Sequence, residues 1–166
     1  MKRRTFMIGA TGVALAGCAQ PSKFRRYNGP EITGIVVNKT DREMFLLHQG
    51  TAIKKYRVDL GFAPLGHKVV EGDGKTPEGV YLIDRRNPDS SFHLSLGISY
   101  PNARDIEAAR ALDQSPGGDI FIHGQPNGVY RVDDEDWTNG CIAVRNRQME
   151  EIYAMVRIGT PIALNA

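Results

Sequence analysis

Residues 117–146 read GGDIFIHGQPNGVYRVDDEDWTNGCIAVRN. Two apolar runs in this stretch, 120–122 and 142–144, have the length and β-branched content of buried strands. The first delivers His123 at its end, followed by Gly124, and the second is preceded by Thr138-Asn139-Gly140-Cys141. As neighbours in one sheet, these strands bring an imidazole and a thiol together at adjoining ends. A thiol becomes a strong nucleophile only as its thiolate, and an adjacent imidazole supplies the base. The imidazolium so formed can protonate a leaving amine. Gly140 permits a tight turn before the cysteine, and backbone N–H groups around Gly140 and Cys141 are natural donors to a developing oxyanion. The carbonyl of Gly124 can hold the other ring nitrogen of His123, where a conventional triad uses a carboxylate.

Outward from this stretch the pattern is one of short strands and tight turns. Runs 32–37, 44–47 and 53–60 are separated by Asn38-Lys39-Thr40-Asp41 and Gln49-Gly50. Runs 80–83, 92–98 and 162–164 add further strands, and the close spacing argues for antiparallel pairing. Residues 105–112 form a short alanine-rich helix. Met149, Ile152, Tyr153 and Val156 share one helical face, with Asn146 as the expected N-cap and Gly159 and Pro161 as the stop. The expected fold is mainly β with one or two helices, in a single domain over 31–166.

The first 17 residues are read as a targeting segment and set apart from the fold. Lys2, Arg3 and Arg4 precede an apolar run too short to span a bilayer. That run ends in Leu15-Ala16-Gly17-Cys18, which resembles a bacterial lipobox with Cys18 as the lipidated residue. Arg3-Arg4-Thr5-Phe6-Met7 also resembles a twin-arginine export signal, leaving two export routes open. Residues 18–30 then form a lipidated cysteine and a solvated tether. The expected location is the periplasm, on a membrane through the lipid alone, and Ala19 favours the outer membrane. Residues 1–17 carry three Lys/Arg and no Asp/Glu. A chain beginning at Cys18 therefore has 18 basic and 19 acidic residues and a formal charge of −1, against +2 for the whole sequence. Nucleic acid is not an expected partner. With Cys18 lipidated, Cys141 is a lone thiol without a disulfide partner.

The order His123, 14 residues beginning with Gly124 (124–137), then Thr-x-Gly-Cys and an apolar strand resembles the YkuD-type L,D-transpeptidase catalytic domain. The resemblance extends through GDGKTPEGVY (72–81), SSFHLSLGISYPN (90–102) and PGGDIFIHG (116–124), and covers roughly 31–165. It implies a β-sandwich-like fold with a Cys–His cleft. It implies a peptidoglycan stem peptide as substrate, attacked at the L-centre carbonyl of its third residue to leave a thioester on Cys141. Transfer to an amine would give a cross-link or a lipoprotein attachment, and transfer to water would give hydrolysis. By the motif match Cys141 is the nucleophile, His123 the base, Gly140 an oxyanion donor and Gly124 the orienter of the histidine.

Asn139 stands where the family usually has a histidine, and Ala143 where an Asn or Arg is frequent, with Arg145 just beyond. Asn139 and Arg145 are candidate substrate contacts, as are His93 and Tyr100 of the second block. Trp137 is expected to anchor the cysteine turn, residues 133–136 to form a solvated loop, and His48 and His67 to lie on the surface. The 72–79 segment fails as a phosphate loop because Val69 occupies the required glycine position. The four histidines lack His-x-x-x-His or His-x-His spacing, so no metal or cofactor is expected. A monomer is expected. A non-catalytic peptidoglycan-binding lipoprotein is the alternative of a different class.

Overall fold

The structure is a computed structural model and describes residues 22–166. The targeting segment and Cys18 lie outside the described residues. Eight strands and two helices follow in the order β1 (Gly34–Asn38), β2 (Glu43–His48), β3 (Thr51–Arg57), β4 (Gly79–Asn87), β5 (Ser95–Ile98), α1 (Ala103–Arg110), β6 (Phe121–His123), β7 (Ile142–Ala143), α2 (Asn146–Met155) and β8 (Pro161–Asn165). Among the described residues, no helix is long and apolar enough to cross a membrane.

The strands form one sheet in the order β3-β2-β1-β8-β4-β5-β6-β7. Alternating apolar residues on β1 and β2 point one face of each inward, as period-two side chains require. The pairing is antiparallel except at β1–β8 and β6–β7, which are parallel. Neither exception is a hairpin: β8 enters between β1 and β4 from the far end of the chain, and β7 returns beside β6 after the 124–141 loop.

The sheet curls until its two edges meet. Beyond β3 the chain runs along β7, where Asp59 and Ala143 exchange backbone hydrogen bonds of 2.9 and 2.8 Å. Gly61 and Thr138 form a second bridge. The sandwich-like packing thus arises from one curled sheet. Helix α2 covers β5 and β6, burying Met149, Ile152, Tyr153 and Met155.

Local chemistry shifts several boundaries. The strand expected over 92–98 begins only at Ser95, because His93 is left-handed (φ 70°) and Leu94 N–H turns back to Phe92 O. The N-cap of α2 is Arg145, one residue before the expected Asn146, whose side chain instead accepts from Gln125 N–H at 2.7 Å. Asn102 and Asp105 form a reciprocal cap that starts α1 earlier than 105. Residues 22–30, in the expected tether, are mostly exposed and touch the domain through two basic side chains. Lys23 donates to Pro88 O at 2.6 Å, and Arg25 pairs with Glu150 on α2 at 2.7 Å.

Candidate active site

The register of β6 and β7 places Ile122 opposite Ile142 and His123 opposite Ala143. One step back, Cys141 stands opposite Phe121, and the period of two puts its side chain on the face that carries His123. Ile122 and Ile142 fill the other face and are fully buried. Cys141 and His123 line one cavity of about 780 Å³.

The turn before Cys141 is tightly specified. Gly140 has φ +124°, and a Cβ there would lie 2.6 Å from Lys75 O. Thr138 Oγ1 donates to Cys141 O at 2.8 Å and accepts from Gly140 N–H at 3.1 Å. The Gly140 N–H, the expected oxyanion donor, is therefore engaged. Among the described residues, the N–H groups of Asn139 and Cys141 donate to no protein group and stay available on this turn. Asp136 accepts from Arg42 at 2.7 Å and from Leu60 N–H at 2.9 Å. It clamps the turn to the opposite edge of the sheet, so the expected solvated loop ends before it.

His123 Nδ1 donates to Gly124 O at 2.7 Å, the contact anticipated from their adjacency. That bond fixes the tautomer and leaves the Nε2 lone pair as the base. The ring is 4% exposed, and it packs against Phe92 (centroids 4.5 Å apart) and edge-on to Trp137 (5.6 Å). Burial lowers its pKa, opposed by the Gly124 bond. Burial pushes the Cys141 thiol up to about 11; the Asp119 carboxylate adds to this, while Phe121 N–H and Lys68 oppose it. Cys141 Sγ donates to Asp119 O at 3.4 Å. The resting pair is neutral thiol and neutral imidazole.

The other expected contacts divide. Asn139 lines the cavity; His93, Tyr100 and Arg145 are not part of its lining. His93 turns to Glu150 on α2 at 3.0 Å. Tyr100 is buried, donates to Pro116 O at 3.1 Å and braces the turn leading to β6. Arg145 lines a separate cavity of about 240 Å³ with Asp59 and Asp133. His67 is held by Asp105 at 3.2 Å and is not a free surface residue. Two cavity residues were not singled out from the sequence: Phe92, the face of the histidine, which lies in the 90–102 block beside the expected His93, and Lys68, 3% exposed. The only signal for Lys68 was a charge beside the apolar pair Val69-Val70. Among the described residues, no group of three or more His, Cys, Asp or Glu converges in a metal-binding arrangement.

A family model described as the L,D-transpeptidase catalytic domain, YkuD, matches residues 32–164. YafK of Escherichia coli (strain K12) is 31% identical over 106 residues, covering 63% of this chain and 37% of that protein. The crystal structure of the helical cell shape determining protein Pgp2 from Campylobacter jejuni superposes with a TM-score of 0.63 at 26% identity, covering 83% of this chain and 49% of that one. Bd1075 of Bdellovibrio bacteriovorus gives 0.56 at 27% identity, covering 80% and 47%. The chain thus spans about a third to a half of the length of these relatives.

Proposed function

The chain belongs to the YkuD family of L,D-transpeptidase catalytic domains, and from that premise we propose that it is a cell-envelope cysteine acyltransferase acting on peptidoglycan stem peptides. The observation that carries the proposal is His123: its Nδ1 is tied to Gly124 O, and its other nitrogen is left as a base in the cavity of the only described cysteine.

In this mechanism the Cys141 thiol gives its proton to His123 Nε2 as sulfur attacks the L-centre carbonyl carbon of the third stem residue. The N–H groups of Asn139 and Cys141 are suited to receive the oxyanion. Collapse breaks the C–N bond, the imidazolium protonates the departing amine, and a thioester remains on Cys141. An incoming amine loses its proton to His123 and takes the acyl group, and the sulfur recovers that proton. Glu71 and Asp119, both carboxylates of the cavity lining, favour a cationic amine at its mouth.

Water attacking the same thioester would give a hydrolase, the second reading. Asn139 motivates it: it stands where the family usually has a histidine and can hydrogen-bond an acceptor but not exchange a proton with it, so His123 is the base for either acceptor and no second histidine helps the amine. Incubation with defined tetrapeptide muropeptides and mass spectrometry of protein and products tests both. We expect an acyl adduct on Cys141 that is absent in Cys141→Ala and His123→Ala, followed by cross-linked product. Only shortened peptides would establish the hydrolase, and an unmodified wild-type protein with no product would leave a peptidoglycan-binding module. Lipid attachment at Cys18 in the periplasm belongs to the same proposal. Its test is incorporation of a labelled fatty acid, which Cys18→Ser should abolish.

A further inference from the structure

Arg85 has no part in that mechanism, yet the sheet register puts it in line with Cys141. Arg85 of β4 stands opposite Gly97 of β5, and Gly97 stands opposite Phe121 of β6. Carried one strand further, by the pairing of Ile122 with Ile142, the row ends at Cys141. A glycine inside a strand marks a place where another group comes close. At Gly97 that group is Arg85: a Cβ there would lie 2.6 Å from Arg85 Nε. The missing side chain lets Arg85 cross β5. Its guanidinium rests 4.6 Å from the centre of the Phe121 ring and pairs with the Asp119 carboxylate at 3.0 Å.

The two residues that Arg85 touches are the ones whose backbone groups meet the sulfur. The Cys141 thiol donates to Asp119 O at 3.4 Å, an acceptor that serves only the protonated form. Phe121 N–H favours the thiolate instead. Asp119 is left-handed at φ 55°, and Gly117, two residues before it, is left-handed at φ 70°. Backbone of this kind keeps one arrangement only where its surroundings hold it. An exposed ion pair fixes little by itself. Here the stacking on Phe121 adds to it, and the gap over Gly97 confines the arginine stem.

We propose that Arg85 is a positioning residue for Cys141: by holding Asp119 it keeps that residue's carbonyl on the thiol proton, which is thus parked on Asp119 O and not on His123 Nε2 until substrate displaces the 117–119 strap. This rests on the reading of Cys141 as nucleophile and His123 as base. Only the thiolate is a strong nucleophile, so the latch keeps the sulfur unreactive while the cavity is empty. Release of Asp119 turns the thiol proton toward the imidazole.

Alkylation by iodoacetamide tests this without any substrate. The full chain is alkylated across neutral and alkaline pH, and labelling of the Cys141 peptide is followed by mass spectrometry. Arg85→Ala should lower the midpoint of the alkylation profile by at least about half a pH unit. Loss of a cation alone would raise it, so the direction of the shift separates release of the thiol from loss of charge. Asp119→Asn breaks the same pair and should also lower the midpoint, and adding Arg85→Ala to it should lower it no further. The other titratable groups of the cavity, Lys68, Glu71 and His123, are unchanged in these variants. The His123 titration, read from its ring NMR signals, should not rise in Arg85→Ala, whereas general loosening of β6 would hydrate the ring and raise it. An unmoved or raised alkylation midpoint, a further fall in the double variant, or a raised His123 titration overturns the proposal. Arg85→Gln keeps the stem over Gly97 and decides by the same criteria if Arg85→Ala does not fold. Acylation is not read here, so failure of the acyl-transfer reading would show separately, as a missing adduct on wild-type protein.

Discussion

Burial drives Cys141 and His123 toward neutrality, and the direction of each shift has a measurable consequence. His123 is held below its ordinary 6.5, so it remains a free base as the pH falls through that value. The acidic limb of the Cys141 acylation rate should therefore have its midpoint below 6.5, and a midpoint at or above it would contradict the neutral-pair description. The same shift affects stability. Below 6.5 the unfolded chain takes up a proton that the fold resists, so stability declines from there down through the folded value. Trp137 and Phe92 supply the dry walls of the ring. Trp137→Ala admits water, restores solvation of the imidazolium and should move the acidic limb to higher pH. An unmoved limb in a folded variant would show that the indole does not set the basicity of His123.

At the scale of elements, the two-residue strand β7 cannot hold the preceding Cys141 by itself. Its position comes from β6 on one side, residues 59–61 on the other, and the Asp136 clamp to Arg42 and Leu60 N–H. Asp136→Ala leaves a partly buried guanidinium and a backbone N–H without their acceptor. It should cost about 1–3 kcal/mol in denaturant unfolding and depress acylation more than overall secondary structure. The strands were legible as short apolar runs, and in β1 and β2 the burial of alternate residues writes itself into the sequence. The Cys141–His123 pair was legible because both residues flank such runs and a glycine accompanies each. The clamp was not, since Asp136 sits in a run of four acidic residues that reads as solvated, and its partners are distant in the chain. His93 and Tyr100 fell in a motif block beside the cavity, but a left-handed backbone and a buried hydroxyl bond turn them away from it.

For the molecule as a whole, the buried Lys39 links the core to the cavity wall. Its ammonium donates to Gly66 O at 2.6 Å, Thr76 O at 2.9 Å and Glu78 Oε1 at 2.8 Å, so all three of its N–H groups are used on the loop that also carries Lys68 and Glu71. Lys39→Met should destabilise the protein by about 3 kcal/mol, near the lower end for a broken buried pair, because Glu78 keeps contact with water. Equilibrium unfolding measures it, and a neutral result would show that the loop holds without the cation. The seam that closes the sheet has a consequence in time. Arg42 and Asp136 are 94 residues apart and Leu60 and Asp136 are 76 apart. Joining them requires the closure of very long loops, and chains dominated by such contacts fold slowly. The hairpins β1–β2 and β2–β3 need no such closure and are free to form early. Cys141 and His123 are only 18 residues apart on paired strands and can meet without that closure, but the Asp136 clamp that fixes the turn before Cys141 forms only with the seam. A chain stalled short of closure should therefore keep β6 and β7 paired while the turn before Cys141 is still unclamped.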